Sequence, residues 1–268
     1  KSQKHSIVTV NEGETGGLFI GVFNGHGDAG AKISHFFKST LPSCVFSDIN
    51  YPNDPLLATK RQLDLLEKCI LSDSSIDTEY SGTTAVICII VRSRLYSIGI
   101  GHSRAVLAHC HHEDNDVLAT QLTIDHVPSC QEEKARIMLK GGRVFKVKYG
   151  NGNIGRDRVW LSHMDVPGLA LSRSLGNSIV KTVGINSIPD CSVLTLHHSF
   201  KYLIIASNGF WEVMSNEEVA KMALSIDDCK KCASAFFEEA SQRWMSLEGV
   251  VGDFACCLLK LYDTGENV

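Results

Sequence analysis

The sequence lacks the features that mark fibrous, disordered and membrane-spanning proteins. It has only 6 prolines, no internal repeat and no low-complexity run, which excludes a collagen-like or disordered chain. No apolar run approaches the ~20 residues that a helix needs to span a bilayer. The 26 lysines and arginines form no block of like charge and are outnumbered by 30 aspartates and glutamates. Nucleic acid and an anionic membrane surface are therefore both disfavoured as partners.

The residues that are present indicate one globular domain. Hydrophobic residues make up 44% of the 268 residues, enough for a sizeable core, and no linker divides them, so we predict one domain over residues 1–268. The 10 cysteines stand in apolar contexts, as reduced core thiols do. Because residues 1–10 lack the charged-then-apolar plan of a signal peptide, we expect a cytoplasmic or nuclear protein. The start at Lys1 instead of methionine indicates a piece of a longer chain.

Two predicted strands end in polar, glycine-containing turns. Residues 18–23 and 202–206 are short apolar runs that stop at Asn24-Gly25 and at Asn208-Gly209. Asparagine and glycine both accept positive φ, so a simple turn is the plainest interpretation of each pair. The ends of buried strands are also where functional side chains are usually placed. We therefore treat both turns as candidate site positions.

The remaining patterns predict an α+β fold. Apolar runs at residues 84–91, 95–100, 105–108 and 117–119 predict an antiparallel meander, and residues 254–261 a last strand. Helical spacing predicts helices over residues 33–41, 56–70, 128–140 and 232–244. A capping-box pattern at Ser215 predicts the start of another helix. Residues 146–168, rich in Gly, Asn and Asp, are predicted to form an exposed flap-like loop.

Seven polar or glycine-rich stretches punctuate these elements, at residues 21–27, 81–85, 101–107, 122–126, 141–144, 167–176 and 206–215. In order and spacing they resemble the metal-dependent Ser/Thr protein phosphatases of type 2C, over nearly the whole chain. The resemblance implies a four-layer αββα sandwich, in which two antiparallel β-sheets are flanked by helices. It also implies attack on phosphoserine or phosphothreonine by a water held between two Mg²⁺ or Mn²⁺ ions, which active members bind through carboxylates.

The positions at which the resemblance implies metal-binding carboxylates hold other residues here. They are Lys4, Asn24, His102, Asn208 and Gly252, with Gly25 beside Asn24 in the same turn. A carboxamide offers an oxygen without charge, glycine offers no side chain, and an ammonium group repels a cation. We therefore expect no metal cofactor and no intact set of catalytic residues.

Four other polar groups are expected at the cleft: His26, Asn177, Glu212 and Asp253. Asn177 and Glu212 both stand where the family usually has aspartate. Asp253 follows Gly252 directly, so a one-residue slip of the last strand could bring its carboxylate into the site. Such a slip would turn every side chain of that strand to the opposite face, which disfavours it.

The resemblance and its departures together predict a catalytically inactive type 2C protein phosphatase-like domain, a pseudophosphatase. We expect it to act by binding a protein partner, such as a phosphoprotein, a kinase or a phosphatase, through the cleft and the flap. Two alternatives stay open. One is a Mg/Mn-dependent phosphatase with a weak or atypical metal site, retained through Glu212, Asp253 and peptide carbonyls. The other is a purely structural module of a larger assembly.

Overall fold

Runs of strands are separated by single helices or short runs of helices in a computed structural model, which describes residues 5–12, 17–110, 116–148 and 154–261. The strands are β1 (His5–Glu12), β2 (Gly17–His26), β3 (Gly82–Thr83), β4 (Ala85–Val91), β5 (Arg94–Ile100), β6 (Ser103–Cys110), β7 (Val117–Gln121), β8 (Arg143–Lys148), β9 (Ile154–Trp160), β10 (Pro167–Leu169), β11 (Leu175–Gly176), β12 (Asp190–Thr195), β13 (Phe200–Ser207) and β14 (Cys256–Lys260). The helices are α1 (Gly30–Phe46), α2 (Pro55–Ser72), α3 (Gln131–Leu139), α4 (Ser178–Lys181), α5 (Asn208–Trp211), α6 (Asn216–Ser225) and α7 (Cys229–Glu248).

The described strands form three sheets with antiparallel pairing. The first sheet has the order β11-β3-β2-β4-β5-β12, with β1 also paired to β2, and the second has the order β14-β13-β6-β7. The third sheet, β10-β9-β8, is smaller. The two larger sheets and their helices confirm the predicted α+β sandwich.

Buried clusters define the layers of the sandwich. One cluster lies between the two larger sheets and joins Val22 and Cys88 of the first to Leu107 and Ile205 of the second. A second cluster packs α1 and α2 on the outer face of the first sheet, and a third packs α5, α6 and α7 on the outer face of the second. The order of layers is therefore helix, sheet, sheet, helix.

Local capping signals set several helix boundaries. The Ser215 hydroxyl accepts a hydrogen bond from the backbone N–H of Glu218 at 3.2 Å, while the Glu218 carboxylate accepts one from the N–H of Ser215 at 2.9 Å. This pair is the predicted capping box, and it starts α6. Helix α7 ends at Gly249, whose φ is +70°, because glycine readily adopts this left-handed conformation.

The predicted meander is divided between two sheets. Strands β4 and β5 pair in the first sheet, whereas β6 and β7 pair in the second. The chain crosses between the sheets at Gly101, whose φ is +89° and where a Cβ would lie 2.7 Å from Thr84 Cγ2. The apolar pattern could not distinguish one continuous meander from two hairpins facing each other, because both bury the same side chains.

The segment predicted as a loop at residues 146–168 also differs in the structure. Its described part contains the end of β8, all of β9 and the start of β10. Val159 and Leu161 are buried against Ile137 of α3 and Val180 of α4, which anchors the third sheet. The strand pattern was weak because polar residues at 155–158 precede these two apolar ones. Residues 149–153 of the predicted flap lie outside the described part.

None of the helices in the described part of the chain combines the length and the hydropathy that a bilayer crossing requires.

Candidate functional site

The ends of β2 and β13 meet across the two larger sheets. Asn24, near the end of β2, donates a hydrogen bond from Nδ2 to Oδ1 of Asn208, the first residue after β13, at 2.7 Å. The two residues are 184 positions apart in sequence. Gly25, the next residue of β2, pairs through its backbone with Thr83 of β3. The turn prediction for the two Asn-Gly pairs was wrong, because Asn24-Gly25 lies within β2 and Asn208-Gly209 begins α5. The two pairs nevertheless meet at one place in the fold.

Glu212 and Arg156 extend this contact toward the third sheet. The Nδ2 of Asn208 donates to Glu212 Oε1 at 3.0 Å, one helical turn further along the chain. Arg156, in β9, donates from Nη1 to the same oxygen at 2.5 Å. The Glu212 side chain is 16% exposed and that of Arg156 is 55% exposed. We call Asn24, Asn208, Glu212 and Arg156 the cleft network.

His102 faces a carboxylate that already has a strong partner. Its Nε2 lies 3.5 Å from Asp125 Oδ2, while Arg104 donates to both oxygens of Asp125, from Nε at 3.2 Å and from Nη2. Burial raises the pKa of Asp125, but hydrogen bonds from His102 and Arg104 and the charge of Arg104 outweigh it and hold the pKa at about 2. Asp125 is therefore an ionised group committed to Arg104. Asp125 belongs to the polar stretch at residues 122–126, but it was not predicted as a site residue.

His26 lines the smaller depression of the cleft, whereas Asn177, also predicted at the cleft, is buried behind it and lines neither depression. His26 Nε2 is 2.5 Å from Asn177 Oδ1, and the Ser174 hydroxyl donates to the same oxygen at 2.7 Å. Asn177 is fully buried in the left-handed conformation, with φ +51°. Its Nδ2 has no hydrogen-bond partner among the described residues. A Cβ on Gly82 would lie 2.2 Å from Asn177 Oδ1 and 2.4 Å from the backbone oxygen of Leu175, so this position requires glycine.

The predicted positions near the last strand are arranged differently. A Cβ on Gly252 would lie 2.5 Å from the indole ring of Trp244 in α7. The Nε1 of Trp244 donates to the carbonyl of Gly209 at 2.7 Å, which fixes the ring beside the start of α5. Asp253 is exposed, and neither it nor Gly252 is among the described residues that line the cleft. Lys4 lies outside the described residues.

The cleft consists of two adjoining depressions of about 1180 and 480 Å³ that share His102, Arg156, Arg158, Ala170 and Glu212. Positive and negative side chains are mixed along the larger one: Lys146, Arg156 and Arg158 on one hand, and Asp125, Asp157, Glu212 and Glu248 on the other. Groups of both signs of charge are thus interspersed along the cleft. It does not present a concentrated positive field.

Few groups in the cleft are placed to bind a cation. The oxygen atoms available as metal ligands at the two Asn-Gly pairs are the amide oxygens of Asn24 and Asn208 and the carboxylate of Glu212. Within the described residues, no group of three or more His, Cys, Asp and Glu side chains is arranged as a metal site. These side chains can donate and accept hydrogen bonds, but the Glu212 carboxylate beside the Asn-Gly pairs already has Arg156 as a counter-ion.

The comparisons with known proteins point in one direction. A family model described as Protein phosphatase 2C matches residues 4–244. A curated relative from Arabidopsis thaliana, "Probable protein phosphatase 2C 65", is 33% identical, over 93% of this chain and 69% of its own length. Another from Oryza sativa subsp. japonica, "Probable protein phosphatase 2C 64", is 31% identical, over 95% of this chain and 60% of its own.

Solved structures show the same fold. A serine-threonine phosphatase 2C from Toxoplasma gondii superimposes with a TM-score of 0.81 at 19% identity, covering 96% of this chain and 90% of the other. A sex determining protein of C. elegans superimposes with a TM-score of 0.76 at 18% identity, covering 97% of this chain and 62% of the other.

Proposed function

The chain belongs to the protein phosphatase 2C family, and within that family we propose that it is a pseudophosphatase, which keeps the scaffold and acts by binding protein. The hydrogen bond between Asn24 Nδ2 and Asn208 Oδ1 carries this proposal. Both residues stand where the family resemblance implies aspartates. The contact joins one amide to the other and places no negative charge between the two sheets.

The donor set does not fit two adjacent divalent cations. Mg²⁺ and Mn²⁺ prefer anionic oxygen ligands, and a pair of them needs several carboxylates to offset their mutual repulsion. Asn24 and Asn208 supply none, and the carboxylate of Glu212 is neutralised by Arg156 at 2.5 Å. No hydrolytic step through a metal-bound water is therefore assigned to this chain.

The surroundings of Gly252 support the same proposal. The family resemblance implies an aspartate at this position, yet the volume that its side chain would enter is filled by the Trp244 ring, 2.5 Å from the site of a Cβ. That ring is held by its own hydrogen bond to Gly209. Restoring a ligand here would require moving a bulky side chain as well as changing one residue.

The proposed activity is docking of a protein partner in the mixed-charge cleft. A phosphoprotein, a kinase or another phosphatase would each present the charged and hydrogen-bonding groups that this surface matches. The proposal includes a cytoplasmic or nuclear location. The purely structural module remains a second reading of the same scaffold.

A weak phosphatase is the competing function, because carboxylates remain near the cleft. Glu212 lies beside Asn208, and Asp125 lies beside His102. A single cation held by Glu212 would have to displace the Arg156 guanidinium first.

Phosphopeptide hydrolysis and metal binding test the proposal together. We expect no phosphate release from phosphoserine and phosphothreonine peptides with Mg²⁺ or Mn²⁺, and no heat of binding when either ion is titrated into the protein. A Mn²⁺-dependent release that is abolished by Glu212→Gln but kept in Asp253→Asn would identify a residual phosphatase centred on Glu212. Release that is lost in Asp253→Asn instead would identify the slipped last strand as the metal-binding element. Either result would overturn the pseudophosphatase.

A further inference from the structure

Arg156 connects the third sheet to Glu212. This connection is separate from the apolar packing that anchors the same sheet on α3 and α4. The third sheet packs on α3 and α4 through Val159 and its neighbours, which lie away from the Asn24–Asn208 contact. Arg156 extends from β9 to Glu212, 56 residues further along the chain. Glu212 follows α5 directly and is bonded to Asn208. The Arg156–Glu212 ion pair therefore bridges the third sheet and the junction of the two larger sheets.

The hydrogen bonds of the cleft network form a continuous chain. Glu212 Oε1 accepts from both Arg156 Nη1 and Asn208 Nδ2, and Asn208 Oδ1 in turn accepts from Asn24 Nδ2. The only formal charges among the residues of this hydrogen-bond series are the Glu212 carboxylate and the Arg156 guanidinium. Neutral amides complete it toward β2. Because hydrogen bonds in such a chain polarise one another, loss of one end weakens the rest.

We propose that Arg156 is the resident cation of this cleft, balancing the Glu212 carboxylate and fastening the third sheet to the Asn24–Asn208 junction. This inference rests on the proposed absence of metal ions and names the group that takes over their charge. A mostly buried carboxylate without a counter-ion is costly, and the Glu212 side chain is only 16% exposed. An arginine from a neighbouring sheet meets that requirement permanently, whereas metal ions bind and dissociate.

Three other arginines show why this role falls on Arg156. Arg158, in the same strand, donates to the carbonyl of Gly168 inside the third sheet. Arg143 pairs with Asp165 near the same sheet, and Arg104 pairs with Asp125 in the second half of the cleft. Arg156 is the one of these four that links the third sheet to Glu212.

Hydrogen exchange followed by mass spectrometry tests the proposal, because loss of a fastening contact lets the attached strands open more often. In Arg156→Ala we expect amides of β9 and β10 to exchange about two- to five-fold faster, the range that a partly exposed ion pair supports. Amides of β13 should keep their wild-type rates. Lys146→Ala is the matched control, since it removes one positive charge from an exposed residue of the same sheet and the same cleft.

Two further variants secure the result. Glu212→Gln should speed exchange in β9 as well. The double variant Arg156→Ala/Glu212→Gln should exchange no faster than Arg156→Ala, because both substitutions remove the same Arg156–Glu212 ion pair. Arg156→Lys keeps the charge and should show a smaller effect than alanine. Wild-type rates in Arg156→Ala, or equal acceleration in Lys146→Ala, would overturn the proposal. Phosphatase activity in the wild type would refute the pseudophosphatase but would leave these exchange rates unaffected, so the two failures are distinguishable.

Discussion

A carboxamide and a carboxylate differ little in shape, yet they make opposite demands on their neighbours. Asn24 and Asn208 can lie 2.7 Å apart because one donates an N–H to the other's oxygen. Two aspartates at that separation would repel each other, and one would take up a proton unless a cation came between them. The amide pair is thus self-sufficient where a carboxylate pair would require a third group.

Aspartates in place of Asn24 and Asn208 would replace this hydrogen bond by two like charges. We expect Asn24→Asp/Asn208→Asp to lose about 1–3 kcal/mol of unfolding free energy without metal, because a hydrogen bond is replaced by like charges. Millimolar Mn²⁺ should not recover this loss while Arg156 occupies Glu212. Adding Arg156→Ala should create Mn²⁺-dependent thermal stabilisation, measured by melting curves with and without the ion.

The control for this prediction is Arg156→Ala alone, which should gain no response to Mn²⁺. An equal Mn²⁺ response in the double and the triple variant would show that Arg156 does not compete with cations. Arg156 would then have no influence on cation binding at residues 24 and 208.

At the scale of single elements, α7 and the segment before β14 fit each other through one glycine. Gly252 faces the indole of Trp244, and that indole donates a hydrogen bond to the carbonyl of Gly209 in α5. We expect Gly252→Ala to cost about 1–3 kcal/mol, because a methyl group would overlap the ring and force it or the backbone to move. Urea denaturation of the variant and the wild type measures this cost.

A smaller ring partner isolates the cause of that cost. In a Trp244→Leu background, Gly252→Ala should be less destabilising than in the wild type, since the overlapping atoms are gone. Equal costs in both backgrounds would assign the effect to the backbone of residue 252 and not to the indole.

The sequence predicted those elements whose signal is local. The apolar runs at residues 18–23 and 202–206 lie in β2 and β13, and the Ser215 capping box begins α6. Hydrophobic period and capping depend on near neighbours in the chain, so they can be read without the fold. Both Asn24 and Asn208 line the same cleft, as the strand ends and the family resemblance indicated, although neither Asn-Gly pair forms the predicted turn.

Contacts between distant segments could not be predicted in this way. Arg156 lies in a segment predicted as a loop, and nothing local relates it to Glu212, 56 residues away. Trp244 was predicted only as part of a helical face, and its approach to Gly252 depends on how α7 packs. The pairing of Asp125 with Arg104 likewise depends on the way in which β6 and the segment after β7 converge. The charge balance of the cleft is thus a property of the fold and not of any motif.

At the scale of the whole molecule, largely buried ion pairs hold together segments that lie far apart in the sequence. Glu133 of α3 accepts hydrogen bonds from Arg136 and from Arg173, which lies after β10. Burial raises the pKa of Glu133, but the hydrogen bonds from both arginines and the charge of Arg173 outweigh it and hold the pKa at about 2. Asp125 has a pKa of about 2 for a similar reason. Both carboxylates therefore stay ionised in the folded protein at a pH where the unfolded chain is protonated.

His126 acts in the same direction at a higher pH. It is almost completely buried, and burial lowers its pKa from 6.5 although its hydrogen bond to Asp190 favours the charged form. The unfolded chain binds a proton at this residue below about pH 6.5, before the folded protein does. Folding is therefore progressively disfavoured as the pH falls below that value.

These groups together predict that the unfolding free energy declines on acidification from near neutrality. The contributions of Asp125 and Glu133 are fully present above their unfolded pKa values of 3.8 and 4.5, and are lost as the pH falls toward their folded pKa of about 2. By linkage Asp125 contributes about 2 kcal/mol and Glu133 about 3 to 4 kcal/mol at neutral pH. Urea denaturation at a series of pH values from 7 to 3 should show the decline, and it should be shallower below pH 5 in Asp125→Asn and in Glu133→Gln, even though both variants start from a lower stability. A wild-type profile that is flat down to pH 3 would mean that the unfolded chain holds these carboxylates in equivalent ion pairs, and that the ion pairs of Asp125 and Glu133 do not stabilise the folded molecule.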